Sequence, residues 1–74
     1  MIVEKLISVA LQGKSIAQMT SEVLDLMTGS VELSGAGGML GGTHRDLDLE
    51  GTSQELDSFL ELLTTKGYSF INIA

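Results

Sequence analysis

The stretch Thr43-His44-Arg45-Asp46-Leu47-Asp48-Leu49-Glu50-Gly51-Thr52-Ser53-Gln54-Glu55-Leu56 changes its period in the middle. Up to Glu50 it alternates: Arg45, Leu47 and Leu49 fall on one side, His44, Asp46, Asp48 and Glu50 on the other. Successive strand side chains point to opposite faces, so this is the pattern of a half-buried strand. Gly51 ends it. Thr52 to Glu55 is a capping box, in which a hydroxyl and a carboxylate satisfy the free N–H groups that open a helix. Leu56, Phe59, Leu60 and Leu63 then recur at i, i+3, i+4 and i+7, the apolar stripe of an amphipathic helix. Lys66 falls in its last turn, where a cation complements the helix dipole, and Gly67 closes it. Tyr68 to Ile73 reads as a final strand, with Ile71 and Ile73 on one face and Tyr68, Phe70 and Asn72 on the other.

The preceding half follows the same grammar. Residues 2–11 read as a strand, with Val3, Ile7, Val9 and Leu11 sharing a face. Gln12-Gly13-Lys14 breaks the run, and Ser15 with Gln18 forms another capping box, so a helix should start near Ile16. Its apolar positions are Ile16, Met19, Val23, Leu26 and Met27, and Gly29 stands where a helix-closing glycine belongs. Residues 30–34 alternate, with Val31 and Leu33 on one side. Five of the nine glycines crowd the following eight positions, 35–42. That run reads as the loop of a hairpin leading into the strand at 43–50.

The order is β-α-β-β-α-β within one domain spanning residues 1–74. Right-handed crossovers leave few arrangements for that order. The fold class expected is α+β: a ferredoxin-like sandwich, with a four-stranded antiparallel sheet in the order 4-1-3-2 and both helices on one face. Two helices cover one face of such a sheet. The other should carry Leu6, Ser8 and Ala10, then Asp46, Asp48 and Glu50, then Tyr68 and Phe70. A small core, open sheet edges and an uncovered face all favour a homo-oligomer.

Composition removes several functions. The chain has 74 residues, four Lys and Arg against ten Asp and Glu, a formal charge of −6, and no Cys, Pro or Trp. Without cysteine there is neither a disulfide framework nor a thiolate, and the usage fits a reducing compartment. No apolar run exceeds three residues, far below the ~20 of a membrane helix. Glu4 and Lys5 interrupt the start where a signal peptide would begin its apolar core, so a cytoplasmic location is expected. The negative charge and four scattered cations speak against nucleic acid.

Gln12-Gly13-Lys14-Ser15-Ile16-Ala17-Gln18, between an apolar strand and an amphipathic helix, resembles the first turn of an ACT domain, a small ligand-sensing module. In that family a glycine followed three positions later by an aliphatic residue helps form an effector site at a dimer interface, and Gly13 and Ile16 have that spacing. Leu11-Gln12 stands where the family usually has an acidic residue and a proline. Residues 28–68 are similar to the ACT-like NIL domain of methionine-importer ATPases, in the succession of strand, glycine loop, alternating strand, capped helix and final strand. The resemblance implies a regulatory module that self-associates and binds a small effector. Gly13, Lys14, Ser15 and Ile16 would line the site, with Gly35, Gly37 and Gly38 as further contributors. No cofactor is implied.

Other readings compete. The glycine run is foremost a hairpin tip, with Met39 and Leu40 packing back or touching a neighbour; as an anion loop it lacks the helix start and lysine of a P-loop. His44, Asp46, Asp48 and Glu50 suggest a metal, but alternate residues on a strand lie about 6.5–7 Å apart, so two at most share an ion, and no metal site is assigned. No serine sits in a nucleophile turn to pair with His44, and no catalytic residue is assigned. Tyr68 and Phe70 on an open sheet would resemble an RNA platform, which needs a positive groove. The chain is therefore expected not to be an enzyme. A protein-interaction module using the open face or an edge strand is the alternative to the effector-binding module.

Overall fold

The computed structural model describes residues 1–27, 29, 31–38 and 42–73. Strand β1 spans Ile2–Ala10, helix α1 Ile16–Leu26, β2 Glu32–Gly38, β3 His44–Thr52, helix α2 Ser53–Thr65 and β4 Phe70–Asn72. All neighbouring strands are antiparallel, in the order β2-β3-β1-β4, which is 4-1-3-2 read from the other edge. At both helix starts the cap hydroxyl accepts as its sequence requires, while the Gln18 amide Nε2 donates onward to Glu22. The Gln18 backbone N–H donates to Ser15 Oγ over 3.1 Å, and the Glu55 N–H to Thr52 Oγ1 over 3.2 Å.

Register divides the residues between two faces. Ile7 lies opposite Leu47, and Val9 opposite Arg45 and Phe70. Ile7, Val9, Leu47 and Leu49 join Met19 and Val23 of α1 and Leu56, Phe59, Leu60 and Leu63 of α2 in one buried cluster. The opposite face carries Glu4, Leu6, Ser8 and Ala10 from β1, paired with Glu50, Asp48, Asp46 and His44 from β3.

Three expectations are corrected. Gly35, Gly37 and Gly38 are strand residues, facing Asp48, Asp46 and Arg45 across the β2–β3 ladder, so the loop starts later than their composition suggests. A register shift between Leu33 and Gly35 marks a bulge, a usual place for glycine in an edge strand. The expected positions of Met39, Leu40 and Gly41 lie outside the described residues. Tyr68 and Phe70 pack against the core, while Ile71, opposite Ser8, takes the open face. Gly67, at φ +90°, turns the chain so that the Tyr68 N–H donates to Leu63 O over 3.0 Å, which sets the strand's parity. Ile16, counted with the apolar stripe of α1, is 40% exposed.

Candidate functional site

The turn from β1 to α1 is closed by the Lys14 N–H donating to Leu11 O over 3.0 Å. Its two central residues, Gln12 and Gly13, have φ of 54° and 81°. Positive φ at both positions is what a type I′ turn demands, and glycine supplies it at the second. A Cβ on Gly13 would meet nothing within 4 Å, so the glycine serves the backbone conformation and not a close approach. Gln12 is the exception, a longer side chain held left-handed. Its amide Nε2 donates to Gly67 O over 3.1 Å, which ties this turn to the one after α2.

Lys14 and Ser15 are engaged within the fold. Lys14 Nζ donates to Glu22 Oε1 over 2.6 Å and lies 5.1 Å from the centre of the Tyr68 ring, while Tyr68 donates its hydroxyl to the same Oε1 over 2.7 Å. Gln18 Nε2 donates to the other carboxylate oxygen. The Lys14 hydrogen bond, then that from Tyr68, hold the Glu22 carboxyl down at about 2. The same carboxylate raises the Lys14 ammonium and the Tyr68 phenol above their ordinary ranges, in each case chiefly through its hydrogen bond. Ser15 Oγ is the helix cap. A depression of about 470 Å³ lies beside the turn, lined by Leu11, Gln12, Gly13, Lys14, Gly42 and Thr43.

The glycine beside this turn is none of those expected there, since Gly35, Gly37 and Gly38 do not line its depression. Gly42 reaches it through Thr43, whose carbonyl accepts from the Leu11 N–H over 3.0 Å. Gly35 and Gly37 instead lie beside Asp48 and Asp46 on the sheet face away from the helices. Ile16 leads elsewhere, into a groove of about 600 Å³ between α1 and the start of β3, shared with Arg45.

The open face has two flanks. Over β2 and β3 stand Glu32, Glu50, Asp48 and Asp46, with Glu4 beside Glu50 on β1; Glu32, Glu50 and Glu4 form one cross-strand row of three carboxylates. Among the described residues no three acidic or histidine groups are placed to hold a metal ion. Over β1 and β4 the surface is apolar. Ile71 is 60% and Ile73 49% exposed, and both line a depression of about 360 Å³ with Ser8 and His44. Alternation exposes the acidic flank in the sequence, but the apolar flank follows only from the register of β4.

Among the described residues, no helix is long and apolar enough to cross a membrane. Comparison with protein-family models, curated proteins and solved structures finds no match. What defines the chain is therefore its architecture: a small α+β protein with a four-stranded antiparallel sheet and two helices.

Proposed function

We propose that this chain is a non-enzymatic, cytoplasmic regulatory module of ferredoxin-like, ACT-like type that works as a homo-oligomer, joined through the apolar flank of its open sheet face. The observation that carries the reading is the placement of Ile71 and Ile73, large aliphatic side chains left exposed at the β4 edge. Alternation along β4 sends the N–H and C=O groups of Phe70 and Asn72 outward, unpaired within the sheet. A two-fold axis beside β4 brings two apolar flanks together and keeps the carboxylates of β3 and β2, two and three strands away, apart; Glu4, on β1, lies beyond the Ile7–Val9 segment that β4 pairs with. Self-association is thus compatible with a charge of −6 on each chain. Sedimentation velocity over a concentration series tests this. Wild type should dissociate on dilution and Ile71→Lys should stay monomeric at every concentration, whereas a monomeric wild type would refute the pairing.

A second reading, a protein-interaction module, is favoured by the acidic flank. Arg45 and Lys5 share the helix-side parity of Leu47 and Leu49, so no lysine or arginine offsets the carboxylates on the open face among the described residues. Charge complementarity then selects a polypeptide carrying basic residues beside an apolar anchor. A monomeric wild type that binds such a peptide in a salt-sensitive manner would favour this reading. The effector turn at Gly13, Lys14, Ser15 and Ile16 belongs to the first reading; the depression beside it supports the part at Gly13 and Lys14, while Ser15 and Ile16 lie outside that depression.

A further inference from the structure

The two edges of the sheet differ. β2 begins at Glu32, is interrupted by glycines and is bulged between Leu33 and Gly35; bulges and charges blunt an edge against further pairing. At the other edge β4 carries no charge in Phe70, Ile71 or Asn72 and runs in unbroken register with β1. Hydrogen bonding fixes which of its groups are spare. Ser69 O accepts from the Ala10 N–H over 2.8 Å, and the Ile73 N–H donates to Leu6 O over 2.8 Å, so the odd positions turn toward β1. Phe70 and Asn72 therefore present N–H and C=O outward. Between them the side chain of Ile71 stands 60% exposed on the open face.

We propose that β4 pairs antiparallel with β4 of a second copy about a two-fold axis through Ile71, and that assembly stops at this dimer. The inference rests on the apolar-flank pairing proposed above and names its register. Centred there, Phe70 of each copy exchanges both main-chain bonds with Asn72 of the other, so every outward group of the strand is paired within the strand. An axis moved to Asn72 or to Phe70 leaves one of the two to pair beyond the strand's ends. Ile71 then faces Ile71 of the second copy as a non-hydrogen-bonded pair, the closer antiparallel kind, about 4.5 Å between Cα atoms. Ile73 faces Ser69 of the second copy, and the sheet runs on as eight strands, four from each chain. The free edges of the dimer are the blunted β2 strands, so pairing closes and does not grow into a filament.

The chain has no cysteine, so single substitutions in the full chain read the register without background. Under mild oxidation Ile71→Cys should form a disulfide-linked dimer at least about tenfold faster than Asp57→Cys, at an exposed position on α2, because the proposed pair lies within disulfide range. Ser69→Cys and Ile73→Cys should cross-link chiefly when the two variants are mixed. Asn72→Pro removes an N–H that the free chain leaves unpaired at its edge. It should keep a dispersed amide spectrum while the dimer dissociation constant in sedimentation rises at least about tenfold; should it not fold, the cysteine pairs decide alone. Wild type should level off at the mass of two chains. Suppose instead that wild type dimerises but Ile71→Cys links no faster than Asp57→Cys, or links fastest with Ile73→Cys or Ser69→Cys. The register is then overturned and the homo-oligomer stands. Species beyond the dimer overturn the closure, and a folded Asn72→Pro with unchanged dissociation constant overturns the main-chain pairing. A wild type monomeric at every concentration removes the homo-oligomer itself.

Discussion

Tyr68 donates its phenolic hydrogen to Glu22 Oε1 over 2.7 Å, joining the turn after α2 to the middle of α1 across 46 positions of chain. Lys14 binds the same oxygen from the turn before α1. One carboxylate thus ties together the two glycine turns, and the same turns are linked again by Gln12 donating to Gly67. Few residues of α1 lie deep in the core; Met19 and Val23 are its fully buried ones. The polar clasp at Glu22 adds to these a direct link between the helix and the turns on either side of it.

The clasp makes stability depend on pH in a definite direction. Glu22 is held at about 2 in the folded chain against an ordinary 4.5, first by Lys14 and then by Tyr68. The unfolded chain takes up the proton first, so the stabilisation is complete above about 4.5 and is lost as pH falls toward 2. Denaturant unfolding of wild type and Glu22→Gln should show a wild-type advantage at neutral pH that shrinks across this interval. An advantage independent of pH would assign the effect to shape and not to charge.

Gly13 allows a separation of backbone from packing. Its φ of +81° disfavours any residue with a Cβ, yet a Cβ there would meet nothing within 4 Å. Gly13→Ala should therefore cost about 1–2 kcal/mol through conformation alone. Calorimetry gives the value, and a cost near zero would mean that the turn relaxes to another form. In contrast, Gln12→Asn keeps a residue tolerant of positive φ but shortens the reach to Gly67, so it should lose that bond with little backbone strain.

Which parts were legible follows from what kind of information the residues carry. Capping boxes and alternation are local, and Ser15, Thr52 and the Arg45–Glu50 alternation led to both helix starts and to β3. The parity of β4 is not local. Tyr68, Phe70, Ile71 and Ile73 put apolar groups on both faces, and only the turn at Gly67 and the pairing of Phe70 with Val9 decide between them. Glycine has poor strand propensity, so Gly35 to Gly38 read as loop, but the partner β3 supplies the ladder that propensity withholds. At the candidate site, the conformation of Gly13 was readable. The groove at Arg45 was not, because it depends on how α1 seats beside the start of β3.

The centre of the core should be the costliest place to remove volume. Leu63 is fully buried and packs with Leu56, Leu60 and the sheet residues Ile7 and Leu49 in one cluster. Leu63→Ala should cost about 2–5 kcal/mol, the range for large-to-small changes at buried sites. A chain this short has little stability in reserve, so the variant should be substantially unfolded at body temperature. Circular dichroism on heating checks this. Leu24→Ala, at a position 41% exposed, should shift the midpoint far less.

The carboxylate row on the open face predicts a substitution of the opposite sign. Glu50 lies directly opposite Glu4 on one side and Glu32 on the other, and like charges facing each other across a ladder are destabilising. Glu50→Lys turns two repulsions into two attractions without touching the helix-side core. It should raise the unfolding free energy by about 0.2–1 kcal/mol for each pair at low salt. Salt screens both effects, so wild type should gain stability with added sodium chloride and the variant's margin should shrink. If this row is the docking place of a basic partner, the same variant should be more stable and yet bind a basic amphipathic peptide more weakly. A variant that gained stability and retained full binding would separate the acidic flank from recognition, leaving the repulsion without that functional explanation.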